Sequence, residues 1–426
     1  MFRLFYNILI WLVTLTIFPI WLVQQKIKGK PVFPYLFGFS KNELKLISGR
    51  PVLWIQAASV GETMVAARLL QDIKEVFPDY AIVFTCNTMT GRATAGRVIG
   101  NKVDLIGYFP FDHPWIVKRF LTRLKPDNLL LIETEIWPNV LFYSKKQNVK
   151  IAIVNGRLNK SYKRLRKYGF YKSALMLIDY IGVQTETDRQ RFIKLGADPA
   201  KVEITGNVKF DFNYPEIPET EKNNFIRLLS LSNNTPILVA ASTHHGEEAI
   251  IIDAFETIKK EVPEAFLVLA PRYPDQADEI VRLLDDHNLK YIRRTEQLNG
   301  KTYSGRPDLL LLDTFGELGL VYSIASVVFI GGSLVPVGGH NVLEASIKEK
   351  IVLYGPYMHN FLESKELLEK EEAGFMVNNA PELAKQFLYF HGNPEIRENL
   401  GKKAKQVIIA NQGATKRTVA KLKLIY

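Results

Sequence analysis

The chain has 426 residues, enough for two domains of roughly 180–210 residues each. Its hydrophobic content of 47% excludes a disordered protein, and its single cysteine, Cys86, excludes an internal disulfide; seven scattered histidines show no zinc-type pattern. The net charge of +11 favours an anionic partner, either nucleic acid or a membrane surface.

The first predicted element is an apolar helix from Leu4 to Val23, which contains no charged residue. At 1.5 Å per residue it would be about 30 Å long, the thickness of a bilayer core. Lysines after this segment outnumber Arg3 before it, so the positive-inside rule leaves the rest of the chain in the cytoplasm. We therefore expect the anionic partner to be a membrane surface, with the bulk of the chain on its cytoplasmic side, and not nucleic acid.

Two alternatives to a spanning anchor exist. A cleaved signal peptide is disfavoured, because "QQKIKGK" follows where a small-residue cleavage site would be needed. A monotopic helix lying in the membrane interface stays open, because Asn7, Thr14, Thr16 and Pro19 weaken the span.

Strand-like apolar runs then alternate with helical patterns, which indicates a parallel sheet covered on both faces. The predicted strands are Val52–Gln56, Ala81–Cys86, Asn128–Ile132, Lys150–Val154 and Tyr180–Gln184. The helical patterns lie near Glu62–Phe77, Gly91–Ile99, Pro114–Leu124, Trp137–Gln147 and Tyr162–Ile178.

The stretch "QAASVGETMVA" follows the first strand, and its Glu62 has two interpretations. Ser59 and Glu62 fit the S-x-x-E capping box of a helix start. Glu62 is also a carboxylate on a glycine-containing turn after a strand, where a catalytic base would stand. The interpretations are compatible, since a helix N-terminus favours an ionised carboxylate.

Two further polar groups follow strands in this half. Glu133 and Glu135 end the run "LLLIETEIWPN", and period-2 alternation predicts that they share one face. Two adjacent carboxylates repel each other, which argues for a ligand. Lys209, in "GNVKFDF", lies just before a Pro-rich and acidic linker, Asn213–Asn224.

The basic block Arg157–Lys172 carries seven Lys/Arg and no acid. It is a candidate surface for an anionic acceptor, with a solvated helix face as the alternative.

The same alternation restarts after the linker. The predicted strands are Ile237–Ala241, Ala265–Ala270, Leu309–Leu312, Val327–Ile330 and Ile351–Tyr354, and one basic amphipathic helix, Glu395–Leu424, closes the chain. We predict an α/β protein with two doubly wound Rossmann-like domains facing a cleft. The expected boundaries are an anchor at 1–30, a first domain at 31–213 and a second at 214–426, whose last helix is a candidate to cross back.

Three loops after strands in the second half suit a nucleotide. Arg272 directly follows a strand and keeps its charge, which fits a phosphate or a planar base, with an ordinary surface arginine as the alternative. The loop "DTFGE" holds Gly316 and Glu317, although Asp313 or Thr314 could simply cap the next helix. The glycine-rich loop Gly331–Ser346 predicts an anion site at a helix start, with Glu344 placed to bind a ribose diol.

Together and in this order, these motifs resemble the membrane-anchored 3-deoxy-D-manno-octulosonic acid (Kdo) transferases of lipopolysaccharide synthesis. The resemblance spans nearly the whole chain and rests on "SVGE", "ETEIWPN", "GNVKFD", "ASTHHGEE", "APRYP", "DTFGELGLVY", "FIGGSLVPVGGHNVLEA" and "GPYMHNF". It implies a GT-B fold, CMP-Kdo as donor and a tetraacylated lipid A precursor (lipid IVA) as acceptor. It also implies an inverting reaction that needs neither a metal nor a cofactor.

The resemblance further implies roles for individual residues. Glu62 would be the general base, and Glu133, Glu135 and Lys209 would support the transition state, although which of the two glutamates matches the family's functional carboxylate stays open. The implied CMP-binding residues are Pro271, Arg272, Phe315, Gly316, Glu317, Asn341, Val342, Leu343 and Glu344.

Departures from the family pattern put side-chain contacts to the base and the acceptor in doubt; they are Gln56, His245, Tyr273 and Phe315. Two rival functions remain. One is another GT-B transferase that uses a UDP-sugar and a polyprenyl-linked acceptor. The other is a non-catalytic, membrane-tethered nucleotide-binding protein.

Overall fold

The computed structural model describes residues 2–27, 38–158, 170–301, 303 and 305–426. Most of the basic block predicted as the acceptor surface, residues 159–169, lies outside the described residues, as does the end of the predicted anchor, 28–30. The chain divides into two compact units. The first contains Met1–Phe212 and Asn411–Tyr426, and the second contains Asn213–Ala410.

The first unit is built on a parallel sheet of seven strands in the order β3-β2-β1-β4-β5-β6-β7. Three of its interior strands, Val52–Gln56, Ala81–Cys86 and Asn128–Ile132, are buried along their whole length, which explains their near-continuous apolar sequences. The strands are β1 (Val52–Gln56), β2 (Ala81–Cys86), β3 (Leu105–Tyr108), β4 (Asn128–Ile132), β5 (Lys150–Gly156), β6 (Tyr180–Val183) and β7 (Val202–Ile204).

Helices connect these strands, and apolar clusters form on both faces of the sheet. The helix Val60–Val76, for example, buries Val65, Leu69 and Ile73 at a helical spacing. The other helices of this unit are Phe2–Ile27, Lys41–Lys45, Met89–Ile99, Pro114–Leu124, Pro138–Lys146, Phe170–Leu175, Glu186–Leu195 and Ala414–Ile425, with 3₁₀ turns at Pro199–Lys201 and Val208–Asp211.

The second unit repeats this plan, with strand order β10-β11-β9-β8-β12-β13-β14, all parallel. Its strands are β8 (Ile237–Thr243), β9 (Phe266–Pro271), β10 (Tyr291–Arg293), β11 (Leu309–Leu311), β12 (Val327–Ile330), β13 (Val352–Tyr354) and β14 (Gly374–Met376). Its helices are Glu219–Leu228, Glu247–Glu261, Ala277–Asp286, Arg294–Leu298, Leu318–Ile324, Leu343–Ser346, Leu362–Lys370, Ala380–Gly392 and Pro394–Ala410, with a 3₁₀ turn at Pro274–Gln276. The predicted α/β class with two doubly wound Rossmann-like sheets is confirmed.

The prediction of a single closing helix is wrong. Two helices, Pro394–Ala410 and Ala414–Ile425, replace it, and they belong to different units. Gly413, at φ +92°, breaks the helical backbone, and the Asp211 carboxylate accepts hydrogen bonds from the N–H groups of Gly413 (2.6 Å) and Thr415 (2.5 Å). This cap fastens the last helix to the first unit.

The N-terminal helix Phe2–Ile27 packs on the first unit through a few polar and aromatic contacts. The Tyr6 hydroxyl donates to Asp112 Oδ2 at 2.7 Å, and the Trp11 ring meets His113 edge to face. Among the side chains of this helix that the structure describes, the exposed large apolar ones are Leu4, Phe5, Ile8, Leu9, Trp11, Leu12 and Leu15. Across the residues described, no helix has both the length and the apolar character needed to span a membrane, so a spanning anchor is not shown.

Candidate functional site

Each sheet has one point at which the strand order reverses, and ligands of open parallel sheets bind beyond the carboxyl ends of the strands at such a point. In the first sheet this point lies between β1 and β4, and in the second it lies between β8 and β12. The predicted catalytic residues Glu62, Glu133 and Glu135 follow β1 and β4.

Glu62 lies in the first turn of the helix Val60–Val76. Ser59 is the N-cap and accepts a hydrogen bond from the Glu62 N–H at 3.2 Å, so the Ser59 half of the predicted capping box is confirmed. The reciprocal half differs, because the Glu62 carboxylate accepts from the N–H of Ala58, one residue before the N-cap. The carboxylate turns back over the helix start, where Oε2 accepts from the Ala58 N–H at 2.6 Å and Oε1 accepts from the Ser59 hydroxyl at 3.1 Å. The cap therefore holds Glu62 at the reversal point of the sheet.

The positions of Glu133 and Glu135 are set by the backbone after strand β4 and not by alternation along the strand. Strand β4 ends at Ile132, and Glu133 has a left-handed backbone, φ +60°. The premise of period-2 alternation was thus wrong, because a turn and not a strand carries both residues. Glu135 Oε2 accepts from Trp137 Nε1 at 2.8 Å and from Gln56 Nε2 at 3.3 Å, which fixes this carboxylate more firmly than Glu133.

Lys209 reaches the same place from the 3₁₀ turn Val208–Asp211. Its Nζ lies 4.0 Å from Glu133 Oε1. The Asn207 side chain accepts from the Lys209 N–H at 3.0 Å and so fixes the start of the turn. The structure therefore brings all four predicted catalytic residues together within the first unit.

The clustering of carboxylates changes their acidity. Burial, together with the charges of Glu133 and Glu135, raises the pKa of Glu62 to about 7. Burial also raises the pKa of Glu135. The helix N-terminus was expected to keep Glu62 ionised, but desolvation outweighs it and brings the pKa of this carboxyl near neutral pH. A carboxyl with a pKa near the working pH is suited to general acid–base chemistry.

In the second unit, a cavity of about 590 Å³ is lined by three of the predicted CMP-binding residues, Gly316, Glu317 and Glu344. Tyr214 also lines it, and the Tyr214 hydroxyl accepts from Asn341 Nδ2 at 3.0 Å. Burial raises the pKa of Glu344, whereas Lys348 opposes that shift. Carboxylate oxygens at the edge of a cavity of this size can accept hydrogen bonds from a sugar diol.

The Glu317 carboxylate is already engaged by two neighbours. Its Oε1 accepts from Arg294 Nε at 2.9 Å and Nη2 at 2.7 Å, and its Oε2 accepts from the Thr314 hydroxyl. Asp313 in turn accepts from Arg293 and Thr295. The alternative that Asp313 or Thr314 caps the next helix is wrong, because that helix starts at Leu318 with Glu317 as its N-cap residue.

The other predicted donor residues differ in what they can offer. Val342 and Leu343 bury their side chains, as does Pro271, so they can contact a ligand only through the backbone. Phe315 is 75% exposed beside Gly316, whose φ is +91°. Arg272 is exposed at the carboxyl end of β9.

The expected anion site in the glycine-rich loop is built differently from the prediction. The buried Glu247 carboxylate accepts from the N–H groups of Gly332 (2.6 Å), Ser333 (2.9 Å) and Leu334 (2.8 Å). These amides are therefore satisfied within the protein. The helix start predicted in this loop lies at Leu343.

Sequence reasoning did not assign a role to His244 and His340, which follow β8 and β12 at the reversal point of the second sheet. Their Nε2 atoms are 2.8 Å apart. The signal was present, since both residues stand in loops after strands and within the quoted motifs "ASTHHGEE" and "VGGHN".

In the described part of the chain, one group of side chains is close enough together to hold a metal ion, namely Asp253, Glu256 and His287, whose potential ligand atoms lie within 4.8 Å of one another. It contains none of the residues assigned to either candidate site.

Comparison with known proteins gives consistent results. The profile of the family described as 3-Deoxy-D-manno-octulosonic-acid transferase (kdotransferase) matches residues 33–212. A 3-deoxy-D-manno-octulosonic acid transferase of Haemophilus influenzae is 33% identical over 377 residues, 87% of this chain and 86% of the relative.

Two further matches differ in extent. A bifunctional glycosyltransferase/methyltransferase of Fusobacterium nucleatum is 33% identical over 336 residues, 78% of this chain; the chain spans about half of that relative, 51% of its length. The crystal structure of a glycosyltransferase from Rickettsia africae superposes with a TM-score of 0.57 at 13% identity, covering 88% of this chain and 98% of the other. At that identity the likeness concerns the fold alone.

Proposed function

This chain belongs to the Kdo transferase family, and as such is a Kdo glycosyltransferase of lipopolysaccharide biosynthesis; we propose that its donor is CMP-Kdo and its acceptor a tetraacylated lipid A precursor (lipid IVA). We further propose that the transfer inverts the anomeric carbon and needs no metal. The observation that carries the proposal is the Glu62 carboxyl, held in a cluster with Glu133 and Glu135 at the reversal point of the first sheet, with a pKa of about 7.

In the proposed step, Glu62 accepts the proton of a hydroxyl group of the acceptor lipid. At the same time, the oxygen of that hydroxyl group bonds to the anomeric carbon of Kdo. The bond from that carbon to the phosphate oxygen breaks, and its electron pair leaves with CMP. A single base with no covalent intermediate gives inversion. The negative charges of Glu133 and Glu135 would stabilise an oxocarbenium-like transition state. The positive charge of Lys209, 4.0 Å from Glu133, would offset the repulsion among the ionised carboxylates of the cluster.

The donor would be held by the second unit. The cavity beside Gly316, Glu317 and Glu344 suits a nucleoside, with the diol of the ribose on Glu344. Arg272 would face the phosphate, and its permanent charge would stabilise the leaving CMP without a metal. Residues Phe315, Asn341, Val342, Leu343 and Pro271 would complete the site through backbone and packing contacts.

We also propose attachment to the cytoplasmic face of the inner membrane through the helix Phe2–Ile27. Seven large apolar side chains between Leu4 and Leu15 are exposed on this helix, and apolar side chains so exposed favour a lipid interface. An anionic lipid surface and the phosphates of the acceptor would then meet the basic segments near residue 30 and in the block Arg157–Lys172.

The direct test is to incubate the purified protein with CMP-Kdo and lipid IVA in detergent and to weigh the products by mass spectrometry. The expected result is a gain of one or more Kdo residues by the lipid, together with release of CMP. The same protein is titrated with CMP and with UDP while its thermal unfolding is followed. Stabilisation by UDP in preference to CMP, with no Kdo product, would overturn the proposal and favour a UDP-sugar transferase.

A further inference from the structure

The histidine pair at the reversal point of the second sheet has a chemistry that the transfer mechanism above does not use. We propose that His244 and His340 act as a proton-loading pair, which takes up one proton when the phosphate of the nucleotide donor binds beside Arg272. This inference rests on the proposed function, because it takes the second unit to be the donor-binding unit.

The geometry of the pair is that of an in-plane hydrogen bond. The two rings are nearly parallel, at 6°, their centroids are 5.1 Å apart and their Nε2 atoms are 2.8 Å apart. Face-to-face stacking would not bring one nitrogen of each ring so much closer than the centroids. The rings are therefore coplanar and joined edge to edge, with one Nε2–H donating to the other Nε2.

The surroundings enforce this contact. A Cβ added at Gly332, whose φ is +66°, would lie 3.0 Å from His340 Cδ2 and 3.4 Å from His244 Cδ2, so a larger residue would strain the backbone and displace the His340 ring. Glu247 fixes the backbone on either side, because its Oε2 accepts from the His244 N–H at 3.0 Å as well as from the Gly332 N–H. The pair is thus assembled before any ligand binds.

The charged and titratable groups around the pair come from two other elements. From the segment after β9, Arg272 opposes protonation of both rings, and Tyr273 contacts His244 edge to face. From the helix Glu247–Glu261, Glu247 favours protonation of His244. The adjacent His245 points elsewhere and pairs with Glu279 at 3.1 Å. Burial is the largest influence, and it lowers the pKa of His244 and lowers that of His340 to about 4.

This arrangement determines where the histidine pair can accept a proton. Near neutral pH the pair is uncharged, with one shared N–H···N bond. Within the described part of the chain, neither Nδ1 atom of the pair makes a hydrogen bond. The ring that donates through Nε2 therefore keeps a free lone pair on its Nδ1. A proton from solvent can add at that Nδ1 without breaking the shared bond. The positive charge of Arg272 opposes this addition in the free protein.

A bound phosphate removes that opposition, because its negative charge offsets that of Arg272 and attracts the new imidazolium. The pair would then add positive charge beside the phosphate on which charge builds as CMP leaves. Binding and protonation are linked, so the affinity for CMP rises as the pH falls. This pH dependence of CMP binding is confined to the pH range between the pKa of the pair in the free protein and its higher pKa in the CMP complex. Within that range, the Kd for CMP changes by at most about tenfold per pH unit.

The test is calorimetric titration of the full-length protein with CMP at pH 7, in buffers of different ionisation enthalpy. We expect net uptake of up to one proton per CMP bound, and loss of that uptake in His244→Gln and His340→Gln. The matched control is His245→Gln, which removes a neighbouring exposed histidine and should leave the uptake intact. Thermal unfolding of each variant reports whether it is folded.

A second measurement does not depend on the variants folding. In protein with isotope-labelled histidine, the NMR titration of two imidazoles should shift to higher pH when CMP is saturating, and the others should not. CMP binding without proton uptake, or uptake that persists in both pair variants, would overturn the inference and leave the proposed function standing. Absence of CMP binding to the wild-type protein would instead remove the proposed function, and this inference with it.

Discussion

The two units share one architecture but carry opposite chemistry at the same topological position. At the reversal point of the first sheet, between β1 and β4, three carboxyl groups crowd together. At the corresponding point of the second sheet, between β8 and β12, two histidines adjoin an arginine. The carboxyl cluster of the first unit favours binding of a proton or a cation, and the arginine with the two histidines in the second unit favours binding of an anion. The fold fixes where a ligand binds, and the loop residues decide which ligand it is.

The largest expected effect tests the first of these positions. Glu62→Gln keeps the length and the capping geometry of the side chain but cannot accept a proton. We expect the rate of Kdo transfer to fall by about 10²–10⁴-fold, with CMP binding unchanged. The matched control is Glu75→Gln on the exposed face of the same helix, Val60–Val76, which should leave the rate as it was. Near-normal transfer by a folded Glu62→Gln variant would reduce Glu62 to a cap.

The next effect tests the second position. Arg272→Ala removes the permanent cation beside the histidine pair, and we expect the Kd for CMP to rise by about 10–100-fold, since hydrogen bonds to charged groups contribute about 1.5–3 kcal/mol. Isothermal calorimetric titration measures this Kd. Arg227→Ala, in which an exposed arginine bonds only within its own helix, serves as control. Equal affinities of the two variants would mean that the phosphate binds elsewhere and that the contrast between the units is false.

The pH dependence of the reaction separates the two positions. Because the pKa of Glu62 is raised to about 7, its carboxyl is protonated at lower pH and cannot act as a base. At saturating donor, the transfer rate should fall by up to about tenfold for each pH unit below that value. Donor affinity should change in the opposite sense if the histidine pair takes up a proton. A rate that is flat from pH 5 to 8 would contradict the assignment of Glu62.

The smallest expected effect concerns stability. A carboxyl whose pKa is higher in the folded protein than in the unfolded chain stabilises the fold below its unfolded pKa, and this contribution is lost as the pH rises through about 7. Glu62→Gln should therefore raise the free energy of unfolding by about 1 kcal/mol at pH 8, after allowance for solvent screening, and leave it nearly unchanged at pH 4. Denaturant titrations at the two pH values give the comparison. Equal effects at both would show that burial and the neighbouring charges do not raise the pKa of Glu62 in the folded protein.

Much of the fold could be predicted from sequence because the central strands are buried on both faces. Strands β1, β2 and β4 have the bounds that their apolar runs predicted. Four strands escaped prediction, namely β3, β7, β10 and β14, and each has only three or four residues. All four lie at a sheet edge, and so short a run carries little periodicity.

The candidate sites were predicted less completely, for a different reason. Glu62 and the two glutamates were found because unpaired charges after strands stand out in sequence. Three features depend on contacts between distant segments, which no local pattern encodes. These are the left-handed backbone of Glu133, the occupation of the loop amides by Glu247, and the bond between His244 and His340, 96 residues apart.

The cap that Asp211 provides for the last helix has a consequence for biosynthesis. Residues 213–410 form the second unit without interruption, whereas the first needs residues 411–426 to complete it. Val419 and Leu422 of that segment are buried against the first sheet. On the ribosome, the second unit can therefore fold while the first unit still exposes an apolar groove. That nascent half is where chaperones should bind longest.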